Sequence, residues 1–200
     1  ALGAVTFAMG LPLLLVSPFG GVAADRVDKR RLLMGTQLIL AIISAIIAIL
    51  IATGQIQVWH LMVAGMVKGF IFAFNMPARQ AMIAELASEL GFDGVDINMG
   101  CPDKSVEKQG AGASLMKNVR LAQELIRAAV EGANGLPVSV KTRTGYSRPE
   151  LESWLPEILK EKVAIITIHA RTRKEMSKVP ARWEFVKRAV EIRNASGKKT

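Results

Sequence analysis

The chain has 200 residues, 50% of them apolar, and a formal net charge of +9, an unusual pairing for a soluble globular domain. The distribution of the charges excludes a chain of uniform composition. Residues 1–87 hold only six of the 26 basic and three of the 17 acidic side chains. We therefore predict two unrelated pieces joined near residues 83–89, with domains at residues 1–86 and 87–200.

The single cysteine, Cys101, excludes an intrachain disulfide bond and favours a reducing compartment. No basic segment precedes the first apolar run, so we expect no signal peptide. The chain begins inside an apolar run and without Met, from which we expect further residues upstream.

Three apolar stretches in the first domain are long enough to cross a membrane: residues 5–24, 32–53 and 58–76. A helix needs roughly 20 apolar residues to span a hydrocarbon core about 30 Å thick. Residues 38–52 are apolar on every face except at Ser44, a pattern that requires lipid or a very large protein core. We predict a transmembrane helical segment, and the alternative is a set of helices buried in a large soluble protein.

Basic residues predict the orientation of these spans. The loop after the first span holds four of them: Arg26, Lys29, Arg30 and Arg31. Because basic loops favour the cytoplasmic side, this loop is predicted to be cytoplasmic and Gln55 to lie outside. We therefore predict an integral membrane protein whose residues after Arg79 are cytoplasmic. If the second domain stands alone, it is predicted to be cytoplasmic as well.

The third span contains a charge and a pair of glycines. Lys68 falls in mid-span, where an ionisable group costs at least about 2.5–3.5 kcal/mol. It lines a substrate path, reaches the lipid headgroups or meets a partner helix, and the sequence leaves these three interpretations open. The spacing of Gly65 and Gly69 permits close contact with another helix.

The first loop resembles a known transporter signature. Residues 21–31 read Gly-Val-Ala-Ala-Asp-Arg-Val-Asp-Lys-Arg-Arg and resemble the cytoplasmic loop of major facilitator superfamily transporters. Residues 74–81 are similar to the segment that leaves the fourth helix in exporter-like members. The resemblance implies helices two to four of twelve, with Asp28 replacing the usual glycine and Lys29 the usual arginine. It also implies a set of gate-loop residues: Gly21, Asp25, Arg26 and Arg30. The alternative is that these charges only anchor the loop at the headgroups.

The second domain alternates short strands with amphipathic helices. Strands are predicted at residues 95–98, 138–141 and 163–168, the last one apolar enough to be buried on both faces. Helices are predicted in three places: from the Asn118 cap to Gly132, after a Ser147–Glu150 capping box, and over Trp183–Arg193. This order predicts a parallel sheet, as a barrel or as an open doubly wound sheet.

Reactive side chains follow the predicted strands. Cys101 comes three residues after the first strand, Lys141 ends the second and His169 ends the third. In parallel sheets these positions share one rim, which in barrel enzymes is where the chemistry takes place. Arg143 and Arg171 repeat a basic-x-basic pattern that points to an anion. The alternative is a row of solvated strand ends.

Four blocks in the second domain resemble tRNA-dihydrouridine synthases. They are Gly-Phe-Asp-Gly-Val-Asp-Ile-Asn-Met-Gly-Cys-Pro at residues 91–102, Gly-Ala-Gly-Ala at 110–113, Val-Ser-Val-Lys-Thr-Arg-Thr-Gly at 138–145 and Thr-Ile-His-Ala-Arg-Thr-Arg at 167–173. The resemblance covers residues 89 to about 193. It implies about strands three to five of a flavin-binding (β/α)₈ barrel, that is, a partial TIM barrel.

The same resemblance implies roles for single residues. Cys101 is expected to protonate the target uracil of tRNA, Asn98 to hold that base, and Lys141 and His169 to contact FMN, which NADPH reduces. Arg143 and Arg171 are expected on the substrate side. An unperturbed thiol, with a pKa of about 8.5, is protonated at neutral pH and suits a proton donor. The alternative for Cys101 is an inert buried thiol.

The sequence thus predicts an FMN-dependent oxidoreductase whose tRNA partner binds the second domain, while lipid surrounds the first. No metal site is expected. Because the resemblance supplies only part of a barrel and part of a transporter, we expect the chain as written to lack both activities. Two further function classes stay open: a membrane transporter or exporter, and a membrane-tethered binding protein without turnover.

Overall fold

The computed structural model describes residues 2–24 and 28–198, which form two compact units, Ala1–Met82 and Ile83–Thr200. A helical unit is followed by a unit of parallel strands and helices, so the predicted mixed fold class is confirmed. The predicted domain boundary after residue 86 lies close to the division between the units and stays a prediction.

The first unit consists of three helices: α1 (Leu2–Ala24), α2 (Lys29–Ala52) and α3 (Val58–Glu89). Asp28 caps α2, since its Oδ1 accepts a hydrogen bond from the Arg31 N–H at 2.8 Å. The gate-loop residues Asp25 and Arg26 lie outside the described residues. Arg30 lies in the first turn of α2, and Gly21 lies near the end of α1.

Within residues 2–24 and 28–198, two helices are long and apolar enough to cross a membrane, namely α2 and α3. A shorter apolar stretch, Gly3–Pro12, lies in α1, and the first predicted span stays a prediction. Many large apolar side chains of α2 and α3 are exposed, among them Leu38, Ile42, Ile49, Trp59, Val63 and Phe70. A surface of this kind is suited to lipid contact.

The helix that contains the third predicted span is longer than that span, because α3 continues through Pro77 to Glu89. An internal proline removes one helical hydrogen bond. The turns after Pro77 contain buried alanines at positions 78, 81 and 84. Alanine has the highest helix propensity, which offsets the lost hydrogen bond.

The helices of the first unit make close contacts. Thr36 Oγ1 donates a buried hydrogen bond of 3.0 Å to Asn75 Oδ1, which links α2 to α3. A Cβ atom added at Gly69 would lie 2.1 Å from the Met9 carbonyl oxygen, so α1 and α3 pack backbone to backbone there. The close contact predicted from the glycine pair is confirmed. Lys68 is exposed.

The second unit contains a parallel sheet of three strands: β1 (Val95–Asn98), β2 (Val138–Arg143) and β3 (Ile165–His169), in the order β1-β2-β3. Its helices are α4 (Lys104–Lys108), a 3₁₀ helix (Gly112–Lys117), α5 (Val119–Gly132), α6 (Leu151–Leu159) and α7 (Trp183–Ala195). The predicted strands and the helices α5 and α7 are confirmed, with ends shifted by a few residues.

Helices cover one face of this sheet. Val140 and Thr142 of β2 are fully buried, and Trp154 of α6 donates its indole N–H to Thr142 Oγ1 at 3.0 Å. On the other face Ile165 is 60% exposed. The prediction that β3 is buried on both faces was therefore wrong. An apolar run predicts that a strand is buried on both faces in a complete sheet. Among the described residues, nothing covers Ile165 on this face.

Two helix caps were predicted in this unit. The Asn118 side chain accepts a hydrogen bond from the Leu121 N–H, so the cap of α5 is confirmed. The Ser147–Glu150 capping box was wrong, since α6 begins at Leu151 without a side-chain cap. The Glu150 N–H instead donates to the Thr144 carbonyl at 2.8 Å and closes a tight turn over the intervening residues.

Candidate active site at the carboxyl ends of the strands

The strand register brings the predicted site residues to one edge of the sheet. Asn98 of β1 pairs with Lys141 of β2, and Arg143 of β2 pairs with His169 of β3. Paired strands lie about 4.8 Å apart, and side chains two residues apart share a face. These four side chains therefore start on the same face of the sheet, opposite the helices, where Asn98 and Lys141 are exposed and Arg143 is buried beneath the rim loops.

The loop after β1 carries Cys101 and is held by backbone contacts. The Met99 N–H donates to the Lys141 carbonyl at 2.8 Å, and the Ala113 N–H donates to the Cys101 carbonyl at 2.8 Å. Gly112 has a φ of +60°, and a Cβ atom there would lie 2.6 Å from the Cys101 carbonyl oxygen. Only glycine fits this approach. Cys101 is half-buried at this rim.

Asn98 and Lys141 present free donors at this edge. The Asn98 Oδ1 accepts a hydrogen bond from the Gly100 N–H at 3.0 Å, which leaves the amide NH₂ group for a ligand. Both side chains are exposed. Among the described residues, the Lys141 ammonium has no salt bridge. An amide donor and a fixed cation side by side suit a ligand with carbonyl oxygens and negative charge.

His169 is held as a neutral ring. Burial, followed by the charges of Arg143, Arg171 and Lys141, lowers the pKa of His169 below its ordinary 6.5. The Arg171 guanidinium can only donate, so His169 Nε2 accepts from Arg171 Nη1 at 3.2 Å, and the ring proton lies on Nδ1. Among the described residues this buried Nδ1 has no hydrogen-bond partner. It is a buried donor without an acceptor from the protein.

Arg143 and Arg171 do not both face the open side. Arg143 is buried, and it donates from Nε to the Gly100 carbonyl at 2.7 Å and from Nη1 to the Thr172 and Met176 carbonyls. Its guanidinium thus lies between two loops of the rim. Arg171 donates from Nε to the Val179 carbonyl at 2.6 Å and keeps its contact with the His169 ring.

A second group of residues at the rim was missed by the sequence reasoning. Arg173 forms an ion pair with Glu107 of α4 and donates from Nη2 to the Pro102 carbonyl at 3.3 Å. Two cations lie near the Tyr146 ring. Lys117 Nζ is 3.6 Å from the ring centroid, and the Arg173 guanidinium carbon is 5.4 Å from it. The only signal was the Arg-Thr-Arg spacing at residues 171–173, which does not reveal the partners.

Comparison with known proteins finds two matching family models. The family model described as dihydrouridine synthase matches residues 70–194, and the model described as transmembrane secretion effector matches residues 1–93. Both models include residues 70–93, which comprise the later part of α3 and the four residues after it. The predicted resemblance of the chain to two families is thereby confirmed, while the position of the junction stays a prediction.

Curated relatives match the second part of the chain. "Probable tRNA-dihydrouridine synthase 2" of Bacillus subtilis (strain 168) is 51% identical over 108 residues, which are 54% of this chain and 33% of the relative. "Probable tRNA-dihydrouridine synthase" of Staphylococcus aureus (strain N315) is 45% identical over 108 residues, 54% of this chain and 32% of the relative. The match spans about a third of the length of these relatives. The dihydrouridine synthase model matches more than half of the residues of this chain. The chain therefore belongs to the dihydrouridine synthase family.

Proposed function

We propose that residues 89–193 carry the site of a tRNA-dihydrouridine synthase, an oxidoreductase that reduces the C5=C6 bond of a uridine in tRNA. The observation that carries the proposal is one rim with a half-buried thiol, a free amide donor, a free ammonium and an orphaned imidazole N–H. These groups match the needs of a uracil ring and a flavin bound side by side.

The residues present fit a flavin. The Lys141 ammonium and the His169 Nδ1–H are donors without protein partners, and both extend from the uncovered face of the sheet. A fixed positive charge there favours an anionic reduced ring. When bound, FMN reduced by NADPH supplies the hydride. His169 stays neutral because its pKa is lowered, so it acts as a hydrogen-bond donor and not as a second cation.

Cys101 is the proposed proton donor. As hydride reaches C6 of the uracil, the thiol gives its proton to C5, the double bond becomes single, and the thiolate regains a proton from water. The Asn98 amide NH₂ donates to a uracil carbonyl and holds the ring. Arg171 orients the His169 ring from the substrate side, and Arg143 acts on the substrate through the loop that carries Cys101.

The charge of this part of the chain supports an RNA substrate. Residues 88–200 hold 20 of the 26 basic side chains. Basic side chains at a rim bind RNA phosphates and release counterions, which gives salt-dependent affinity. The proposed partner of this site is therefore tRNA.

A segment graft tests the proposal. The 108 residues of the Bacillus subtilis relative that align with this chain are replaced by those of this chain, so that the remaining two thirds come from the relative. We expect the purified graft to bind flavin and to form dihydrouridine in unmodified tRNA with NADPH, as measured by mass spectrometry. The unaltered relative is the positive control. A folded, flavin-loaded graft that forms no dihydrouridine would contradict the proposal.

Membrane transport is a second candidate function, and it concerns residues 1–86. It is supported by the match of residues 1–93 to the transmembrane secretion effector family and by the two long apolar helices α2 and α3. The proposed gate loop contains Gly21, Asp25, Arg26 and Arg30. We propose that this part lies in the membrane and that residues after Arg79 lie in the cytoplasm, where tRNA is found. Export from vesicles that contain the full chain, lost in an Asp25→Asn variant, would favour this function.

A further inference from the structure

The backbone around Cys101 is held at three consecutive carbonyl groups. The Gly100 carbonyl accepts from Arg143 Nε at 2.7 Å, the Cys101 carbonyl from the Ala113 N–H at 2.8 Å, and the Pro102 carbonyl from Arg173 Nη2 at 3.3 Å. The thiol is thus attached to a segment that is fixed on both sides.

Arg143 fixes the segment from the side of β2. Its side chain is 7% exposed, and its Nη1 also bonds the Thr172 and Met176 carbonyls at 3.2 and 3.1 Å. One guanidinium therefore joins the loop after β1 to the loop after β3. Hydrogen bonds from a charged donor are stronger than neutral ones, and burial strengthens them further.

Arg173 fixes the segment from the side of β3. Its guanidinium bonds both carboxylate oxygens of Glu107, which lies in α4, the helix that directly follows the Cys101 loop. The Tyr146 ring packs near the same guanidinium. Arg173 is thus oriented by a carboxylate and a ring before it reaches the Pro102 carbonyl.

We propose that Arg143 and Arg173 are positioning residues, which hold the Gly100–Pro102 backbone so that the Cys101 thiol keeps one orientation toward the substrate. This inference rests on the proposed function only in that Cys101 is taken as the proton donor. Displacement of a reacting group by about 1 Å can cost roughly 10²-fold in rate, which gives such an arrangement its value. Neither arginine touches the substrate in this role.

The test uses the full 200-residue chain and its only cysteine. The rate of alkylation by iodoacetamide reports on Cys101 alone. Arg143→Lys and Arg173→Lys keep the positive charge near the thiol but lose the planar fork that bonds several carbonyls. We expect alkylation about tenfold faster in Arg143→Lys and about threefold faster in Arg173→Lys, since each loses charge-assisted hydrogen bonds to the loop.

Arg127→Lys is the matched control. Arg127 forms a 3.1 Å ion pair with Glu161 between α5 and α6 and has no contact with the Cys101 loop. Its alkylation rate should equal that of the wild type. Hydrogen exchange measured by mass spectrometry gives an independent readout. The amides of Gly100 and Ala113 should exchange faster in Arg143→Lys and Arg173→Lys and should be unchanged in the control.

Two further measurements separate a positioning role from general loosening of the fold. Local opening exposes little surface, so the faster alkylation should not depend on urea below the unfolding transition. In Arg143→Ala, low millimolar guanidinium ion should restore the slow rate. If Arg143→Lys does not fold, Arg173→Lys decides.

The proposal would be overturned if both lysine variants had the same alkylation and hydrogen-exchange rates as the wild type. It would also be overturned if their alkylation rates rose with urea in step with global unfolding. Alkylation requires neither flavin nor tRNA. Failure here therefore leaves the proposed function intact, whereas an inactive graft would remove that function and leave the arginine contacts unaffected.

Discussion

At the residue scale, Cys101 stands in the chain between two residues whose carbonyls accept hydrogen bonds from arginines, Gly100 and Pro102. In the graft with the Bacillus subtilis relative, Cys101→Ala should lower the rate of dihydrouridine formation by about 10²–10⁴-fold, because it removes the proposed general acid. Flavin binding should be unchanged, since alanine leaves Lys141 and His169 in place. Single-turnover mass spectrometry of tRNA measures the first effect, and flavin absorbance measures the second. A rate close to that of the unsubstituted graft would remove Cys101 from the mechanism.

Glu124 of α5 gives a second prediction at the residue scale. It is 5% exposed, and burial raises its pKa to about 7, against the opposing charges of Arg127 and Arg120. The folded-state pKa lies above the ordinary 4.5, so the folded state binds the proton more tightly, and stability is lost as pH rises from about 4.5 through 7. Glu124→Gln should therefore raise the free energy of unfolding at pH 8 by roughly 2–3 kcal/mol.

The same variant should have little effect at pH 4.5, where the carboxyl is protonated in the folded state and half protonated in the unfolded state. Urea unfolding at the two pH values, followed by tryptophan fluorescence, measures the difference. Glu191→Gln is the control, because Glu191 is 47% exposed and paired with Arg188. A Glu124→Gln variant that is less stable than the wild type at pH 8 would show that the carboxylate has a favourable partner.

The site residues differ in how well the sequence predicts them. Cys101, Lys141 and His169 follow from strand ends alone, since parallel strands bring their carboxyl ends together. The orientation of Arg143 does not, because a basic residue after a strand bonds a ligand or a neighbouring loop with equal ease. The burial of Glu124 was also missed, since an acid between two basic residues on a helix resembles a solvated position.

At the element scale, the α1–α3 contact permits a test with two glycines. A methyl group at Gly69 would lie 2.1 Å from the Met9 carbonyl oxygen, whereas nothing lies within 4 Å of one at Gly35 in α2. Gly69→Ala should lower the thermal stability of the protein in detergent, because the helices must separate, at a cost of about 1–3 kcal/mol. Gly35→Ala should raise the stability, since alanine favours the helix by up to about 1 kcal/mol. Equal changes in the two variants would contradict the contact.

Helices and strands of this chain follow from local patterns where those patterns are complete. The Asn118 cap and the apolar period of α5 predict that helix closely. The end of α3 does not follow, because Pro77 indicates a break that buried alanines override. The open face of β3 does not follow either, since an apolar strand such as Ile165–His169 reads the same whether or not other strands cover it.

At the scale of the whole molecule, the exposed apolar side chains of α2 and α3 predict membrane insertion. The full chain should sediment with membranes and resist extraction by alkaline carbonate, because burial of these side chains in lipid is favourable. If the basic residues around Arg30 lie on the cytoplasmic side, Lys141 lies there as well. Protease added outside intact cells should then not cleave the chain near Lys141. Release of the chain as a soluble species by carbonate, or cleavage near Lys141 from outside, would contradict this prediction.

The last prediction concerns turnover by the 200-residue chain alone. Within the described residues, β1 and β3 each keep one unpaired edge, and the face that carries Asn98, Lys141 and His169 stays open to solvent. A closed barrel pairs all edges and encloses its rim, and the relatives have about three times the matched length. We expect weak binding of FMN, because the ring-side donors are present without an enclosing wall. We also expect no dihydrouridine above a no-enzyme control in an assay of the purified chain with FMN, NADPH and unmodified tRNA. The graft into the Bacillus subtilis relative is the matched comparison, since it contains the same 108 aligned residues within a chain of that relative's full length. Turnover by the chain alone would contradict the prediction. It would mean that copies of the chain complete the site together. In that case the specific activity would depend on the protein concentration.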